Sequence, residues 1–311
     1  MPTPFALLAI AALLFATMAW SSLFFIGQSL LGVLDPVWFT TLRYTLATLG
    51  LLALVQLFGH TPWRKLVLHA RRLTGFGLAG YGAFSLLVFI GLAHSLPAHG
   101  AVIMATIPLS ALLVRWALDG IRPAPRALAA ALVAFTGVAL VAGLFGGAGA
   151  ADKAASSVLL GDLLTLSGTL GWVFYTRGAA SLPELSALEY TALTAVASLP
   201  WLLLFAAAAS LAHLATPPTL AALGPVWPKL LYIAAVPTVA AALAFNFGVR
   251  RLGAPSGTLF LNFVPVSALV ISAALGSWPR PHELGGALLV GAALWLNASS
   301  SASKPARQAA A

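Results

Sequence analysis

The sequence predicts an all-α polytopic membrane protein: ten transmembrane helices arranged as two five-helix repeats of inverted topology. Three observations carry this. Of 311 residues, 60% are hydrophobic and only 7% charged, whereas a water-soluble domain carries charge on roughly a quarter of its residues. Ten apolar stretches each approach the roughly 20 residues needed to cross the hydrocarbon core. Residues of the first half recur, in order, in the second.

The same composition excludes other classes. A disordered chain needs low hydrophobicity and high charge. Strand-like alternation is absent, which excludes a barrel. The net charge of +9 would suit nucleic acid if the basic residues shared one face, but here they sit in short clusters between apolar runs. No nucleic-acid partner is therefore expected. With no cysteines, disulfides, Cys-ligated metals and thiol nucleophiles are excluded.

Taken in order, the spans fall at about 5–27, 36–58, 73–93, 97–117, 126–146, 159–180, 185–211, 229–250, 254–276 and 283–299. The first has no Lys or Arg before it and is too long for a signal-peptide core, so it reads as a retained span. The second opens at Pro36 and holds Arg43, the one basic residue placed inside a span. The third contains Gly82 and Gly91, and a short loop with His94 and His99 leads to the fourth. Pro108, Pro200, Pro237 and Pro265 interrupt the fourth, seventh, eighth and ninth spans; each removes a backbone hydrogen bond, and freed carbonyls are tolerated in lipid only where they face protein or water. The division is 1–147 for the first repeat, 148–158 for an outer linker, 159–299 for the second repeat and 300–311 for a cytoplasmic tail.

Orientation follows from the Lys/Arg imbalance. A cytoplasmic amino terminus puts twelve basic residues inside, among them Arg64, Lys65, Arg71, Arg72, Arg177 and Arg250, against Lys153, Lys229 and Arg280 outside. Both termini are then cytoplasmic.

The repeat is visible as Gly100, Pro108, Ser110, Ala111 and Leu112 returning 157 residues later as Gly257, Pro265, Ser267, Ala268 and Leu269. Thr17 and Trp20 return as Thr169 and Trp172, and Tyr44 and Thr45 as Tyr190 and Thr191. Five helices per unit is an odd number, so the second unit enters from the opposite side, and the two form a pseudo-twofold pair about an axis in the membrane plane. Exchanging the packings of the two units would turn an outward-facing cavity into an inward-facing one.

Over about 5–299 the chain resembles the drug/metabolite transporter superfamily, in particular its ten-helix proteins with two EamA-type repeats. The resemblance rests on "PVWFTTLRYTLATLGLL" with Pro36, Phe39 and Arg43, on "PAHGAVIMATIPLSALL" and its partner "APSGTLFLNFVPVSALV", and on "GDLLTLSGTLGWVFYTR" with Gly161, Asp162, Trp172 and Tyr175. The acid after the fourth helix is Asp119; its second-half counterpart, Glu283, comes several residues late. The resemblance implies solute transport across the bacterial inner membrane, with amino-acid exporters, including the aromatic amino-acid branch, as its nearest members.

Candidate substrate-binding residues are Trp20, Arg43, Tyr44, Tyr81, His99, Trp172, Tyr175, Glu189, Asn246 and Asn262. A mid-membrane arginine costs at least about 2.5–3.5 kcal/mol on insertion scales. Arg43 therefore holds a substrate carboxylate, braces helices or snorkels to the surface. Glu189, its counterpart 146 residues later, meets a substrate ammonium, carries a proton or sits solvated at its helix end. The aromatics offer flat faces with polar handles, and the two amides suit a ligand or interhelical bonds. Candidate hinges are Gly82, Gly91, Gly100, Pro108, Pro237, Gly257 and Pro265. Small residues at Ala139, Gly143 and Gly147, and at Ala287 and Gly291, suit close packing between the halves or between protomers of a homo-oligomer.

The function expected is secondary transport: export of small metabolites, amino acids first among them, by alternating access. No ATP-binding loop is present, no metal or cofactor is called for, and the acids are too scattered for membrane-embedded metal catalysis. Other amphipathic metabolites or drugs are alternative substrates. An enzyme or a non-transporting structural protein is the alternative class.

Overall fold

A computed structural model describes residues 4–58, 61–95, 103–104, 106–141, 155–274, 276 and 278–301. Among these residues the chain is helical, without strands. Helix α1 is Pro4–Leu31 and α2 is Pro36–Leu57; the Asp35 side chain accepts from the Val37 N–H at 2.8 Å and Pro36 fills the first turn, a start signal that needs no further donor. A short helix, Trp63–Leu68, leads into α3 at 70–94. Helix α4 is Ile107–Asp119, ended by Gly120 at φ 66°, where a side chain would be strained. Helices α5 (Pro125–Val141), α6 (Ala155–Ser181) and α7 (Ala187–Leu211) follow, α7 opened by a reciprocal Ser186–Glu189 capping box. Helix α8 is Leu220–Leu252, α9 covers 254–274 and α10 is Pro281–Ser301.

Six of these, α1, α2, α3, α6, α7 and α8, are long and apolar enough to cross a membrane. The other four fall short of that test over the described residues. Large apolar side chains such as Leu7, Leu49, Leu163, Trp201 and Leu288 are exposed on the outside of the bundle, while threonines, serines, Arg43 and two asparagines are buried within it. That inside-out distribution is what lipid selects.

Helix packing carries the mark of the inverted repeat. Helix α1 packs on α8, α3 on α6, α2 on α7, α4 on α9 and α5 on α10. Exchanging the halves (α1 with α6, α2 with α7, and so on) turns the α1–α8 pair into the α6–α3 pair and returns the other three onto themselves. A twofold axis does this; a translated copy does not.

Irregularities are paired too. Residues Leu78–Ala83 of α3 and Ala234–Ala240 of α8 are π-helical, and they occupy equivalent places in the two repeats. In α8 the cause is Pro237, which has no N–H to give; the Thr238 hydroxyl satisfies the Ile233 carbonyl at 2.8 Å. In α3 the turn carries Gly80, where an added Cβ would lie 2.7 Å from the Tyr175 ring. Helix α4 begins after a turn at Thr106, and α9 is broken by a 3₁₀ turn at Phe260–Asn262. Pro108 and Pro265 stand just after these breaks. The expectation of prolines in helix interiors is corrected for Pro108, which lies in a first turn, where a missing N–H costs little.

Two glycine expectations also change. Gly91 gives close approach rather than flexibility, since a Cβ there would lie 2.6 Å from the Gly161 carbonyl of α6. At the α5–α10 contact the small residue that matters is Gly137, whose Cβ would meet the Gly286 carbonyl at 2.7 Å, whereas Gly291 has nothing within 4 Å. Gly143 and Gly147 lie outside the described residues.

Candidate functional site

The repeat places a small apolar cavity at the centre of the bundle, of about 60 Å³ in this state. Much of its wall comes in repeat-related pairs: Trp20 and Trp172, Tyr81 and Thr238, Ser85 and Ala242, Met104 and Leu261, Ile107 and Val264. The last four pairs share the 157-residue offset of the sequence repeat. The cavity therefore lies on the pseudo-twofold axis, and both π-helical turns and both helix breaks contribute to its wall.

The furnishing is asymmetric where it is polar. Arg43 is 3% exposed and lines the cavity. Its Nη2 donates to Ser85 Oγ at 2.7 Å, and the Tyr44 hydroxyl lies 2.9 Å from the same oxygen. The guanidinium carbon stands 4.5 Å from the centre of the Tyr44 ring and 5.5 Å from those of Phe39 and Phe89, which compensates part of the lost hydration. No carboxylate reaches it among the described residues, and its Nε has no hydrogen-bond partner. Trp172 is buried as well, with its Nε1 unpartnered. Trp20, by contrast, donates to the Pro237 carbonyl at 2.8 Å. Buried donors without acceptors cost roughly 1–3 kcal/mol each. The cavity thus has a fixed positive charge on its wall, with two buried donors lacking partners on wall residues, set among Leu23, Val88, Met104 and Leu261.

Below the cavity, towards the end of the bundle that carries Lys65, Arg72 and Arg250, lies a hydrogen-bonded floor. The Tyr81 and Tyr175 hydroxyls are 2.9 Å apart, and Tyr81 also meets Thr194 Oγ1 at 3.2 Å. Asn246 Nδ2 donates to the Tyr175 hydroxyl at 3.0 Å and to Thr191 Oγ1 at 2.7 Å. The Tyr190 hydroxyl donates to the Tyr175 carbonyl at 2.6 Å. These bonds tie α3, α6, α7 and α8 across the axis. Beyond them, polar contacts hold the basic end: Lys65 with Glu189 at 2.8 Å, His69 with Glu184 at 2.9 Å, Arg72 on the Ser181 hydroxyl, and Arg177 with Asp119 through two hydrogen bonds.

Of the candidate residues, the structure brings Trp20, Arg43, Tyr44, Tyr81 and Trp172 together on the cavity wall. Tyr175 and Asn246 belong to the floor, a placement in which the Asn246 amide bonds across helices. Asn262 donates within its own helix, to the Leu259 carbonyl at 3.1 Å. Glu189 is removed from the cavity altogether, because its carboxylate is spent on Lys65 and on the Ser186 N–H. Of the candidate hinges, Pro237 lines the cavity inside its π-helical turn, and Gly82 lies in the matching turn of α3. Gly257 packs against Val249. His99 and Gly100 lie outside the described residues. Sequence reasoning missed Ser85, Phe84 and Phe89 on the wall and Thr191 and Thr194 in the floor. Ser85 had a signal: a lone hydroxyl in the apolar run "FSLLVFIGL", where a polar group must find a partner.

Comparison with known proteins agrees with this geometry. The model of the EamA-like transporter family matches residues 7–143 and 159–299. A protein of Bacillus subtilis (strain 168) named "Uncharacterized transporter YrdR" is 26% identical over 287 residues, 91% of this chain and 89% of that protein. A second, "Uncharacterized transporter YyaM" of the same organism, is 29% identical over 220 residues, 69% of this chain and 68% of the relative. A solved crystal structure superposes with a TM-score of 0.72 at 20% identity, covering 94% of this chain and 97% of the other, a likeness of fold.

Proposed function

The chain belongs to the EamA-like transporter family, and we propose that it is a secondary carrier moving small amphipathic carboxylates across the bacterial inner membrane by alternating access. The carrying observation is Arg43: a buried cation, without a carboxylate partner among the described residues, on the wall of a cavity that lies on the repeat axis. A charge held there at a cost of several kcal/mol suits a site completed by an anionic ligand. Amino acids fall within this class through their carboxylate. The cytoplasmic placement of both termini rests on the Lys/Arg imbalance, and export on the resemblance to amino-acid exporters.

The floor and the charged pairs at the basic end close one side of the cavity in this state. The paired π-helical turns and helix breaks are the places where each half can change its packing. In the carrier cycle the floor opens while the equivalent contacts of the other half close above the ligand. Reconstitution into proteoliposomes tests this. Saturable flux of an aromatic or aliphatic carboxylate, accelerated by the same solute on the opposite side, is expected of a carrier. Linear flux without counterflow means a pore, and no flux of any acid, amine or neutral amphiphile means a non-transporting protein.

A further inference from the structure

Resting on the carboxylate reading of Arg43, we infer that the substrate is a net monoanion with an apolar remainder, and that the ammonium of an amino acid works against binding. The cavity has a place for negative charge and none for positive. Among the described residues no carboxylate lines it. The acid that the repeat pairs with Arg43, Glu189, sits at the basic end on Lys65.

The neutral acceptors nearest the wall are also engaged, and the unpartnered Oδ1 atoms of Asn246 and Asn262 belong to residues outside the lining. The Pro237 carbonyl takes the Trp20 N–H, the Ile233 carbonyl freed by the α8 turn takes the Thr238 hydroxyl, and Ser85 Oγ accepts from Arg43. Aromatic faces could substitute for an acid by holding a cation, but here they are occupied. Arg43 itself stands by the rings of Tyr44, Phe39 and Phe89. Trp172 has Phe84, Tyr175, Trp20 and Phe245 at centroid distances of 5.1, 5.2, 5.3 and 5.7 Å. An ammonium entering with its carboxylate would be stripped of water without a partner, close to a like charge. A carboxylate alone meets the Arg43 guanidinium on the wall, and its apolar body meets Leu23, Val88 and Val264.

The test uses the full-length protein in lipid nanodiscs at neutral pH. Binding is read from intrinsic tryptophan fluorescence, Trp20 and Trp172 being on the cavity wall, and repeated with Arg43→Gln. The probes are 3-phenylpropanoate, L-phenylalanine, phenethylamine and 3-phenylpropanamide, with the matching indolyl series. The acid is expected to bind at least about tenfold more tightly than the amino acid of the same skeleton, a difference of about 1.4 kcal/mol, and the amine not to bind. Amino acid binding as tightly as the acid, with both lost in Arg43→Gln, overturns the monoanion inference and leaves the carboxylate reading standing. Amide or amine binding as well as the acid, unaffected by Arg43→Gln, overturns both. No saturable binding by any acid of either series also counts against both.

Discussion

Ser85 Oγ accepts a hydrogen bond from Arg43 Nη2 at 2.7 Å, fixing a charge on α2 against α3 beside the π-helical turn. Its repeat counterpart is Ala242. The position therefore accepts a methyl group in one half and carries a hydroxyl in the half that must aim a guanidinium. Ser85→Ala removes a hydrogen bond to a charged group, of the kind that contributes roughly 1.5–3 kcal/mol. Binding of a carboxylate substrate should weaken about tenfold, and the thermal midpoint should fall as well, because Arg43 and Tyr44 each lose a buried partner. Unaltered affinity would show that Arg43 is positioned by its aromatic neighbours alone.

Tyr175 joins the floor through three partners. Tyr175→Phe leaves Tyr81 and Asn246 each short of a partner in a buried site, a loss on the order of 1–3 kcal/mol. Tyr232→Phe, which removes only an exposed bond to Ser22, is the control. Thermal unfolding in detergent should show a clear fall for the first and almost none for the second. Equal midpoints would mean that the floor is not a stabilising network.

At the basic end Asp119 and Arg177 tie α4 to α6, with side chains 29% and 35% exposed. Such a pair contributes at most about 1 kcal/mol to stability, so Asp119→Asn should melt almost normally. Its effect should appear in access. The chain has no cysteine, and one introduced at the neighbouring buried Ala179 should react several-fold faster with a water-soluble thiol reagent once the pair is broken. Exchanging the two charges should restore slow labelling. Indifference to both changes would remove the pair from the closing mechanism.

Close approach of α3 and α6 depends on Gly91 and Gly161. Gly161→Val should abolish folded protein or lower its yield severely, because an added Cβ alone would lie 2.6 Å from the Gly91 carbonyl. Gly291→Val, with nothing within 4 Å, should express normally. Size-exclusion profiles of the two variants check this, and similar behaviour would contradict the packing.

Much of the architecture was legible because lipid imposes long apolar runs and because duplication leaves rare residues in register. Trp20 with Trp172 and Pro108 with Pro265 are rare residue types that recur in register. Arg43 stood out as a cation in an apolar span. The partners were harder. Glu189 shares a repeat position with Arg43, but a capping box and Lys65 fix its carboxylate at the helix start, and that depends on where the 182–186 turn meets the 63–72 segment. Nor could hydropathy separate Asn246, which ties helices together, from a ligand-facing amide, since both read as polar residues in apolar spans. The π-helical turn of α3 had no proline to announce it.

The central claim is that Arg43 holds the transported carboxylate in the cavity between two inverted halves. Counterflow of 3-phenylpropanoate into proteoliposomes containing wild-type or Arg43→Gln protein, matched for thermal midpoint, tests it most directly. Counterflow should be robust in the wild type and fall to the protein-free rate in the variant. Equal counterflow by both would contradict the claim.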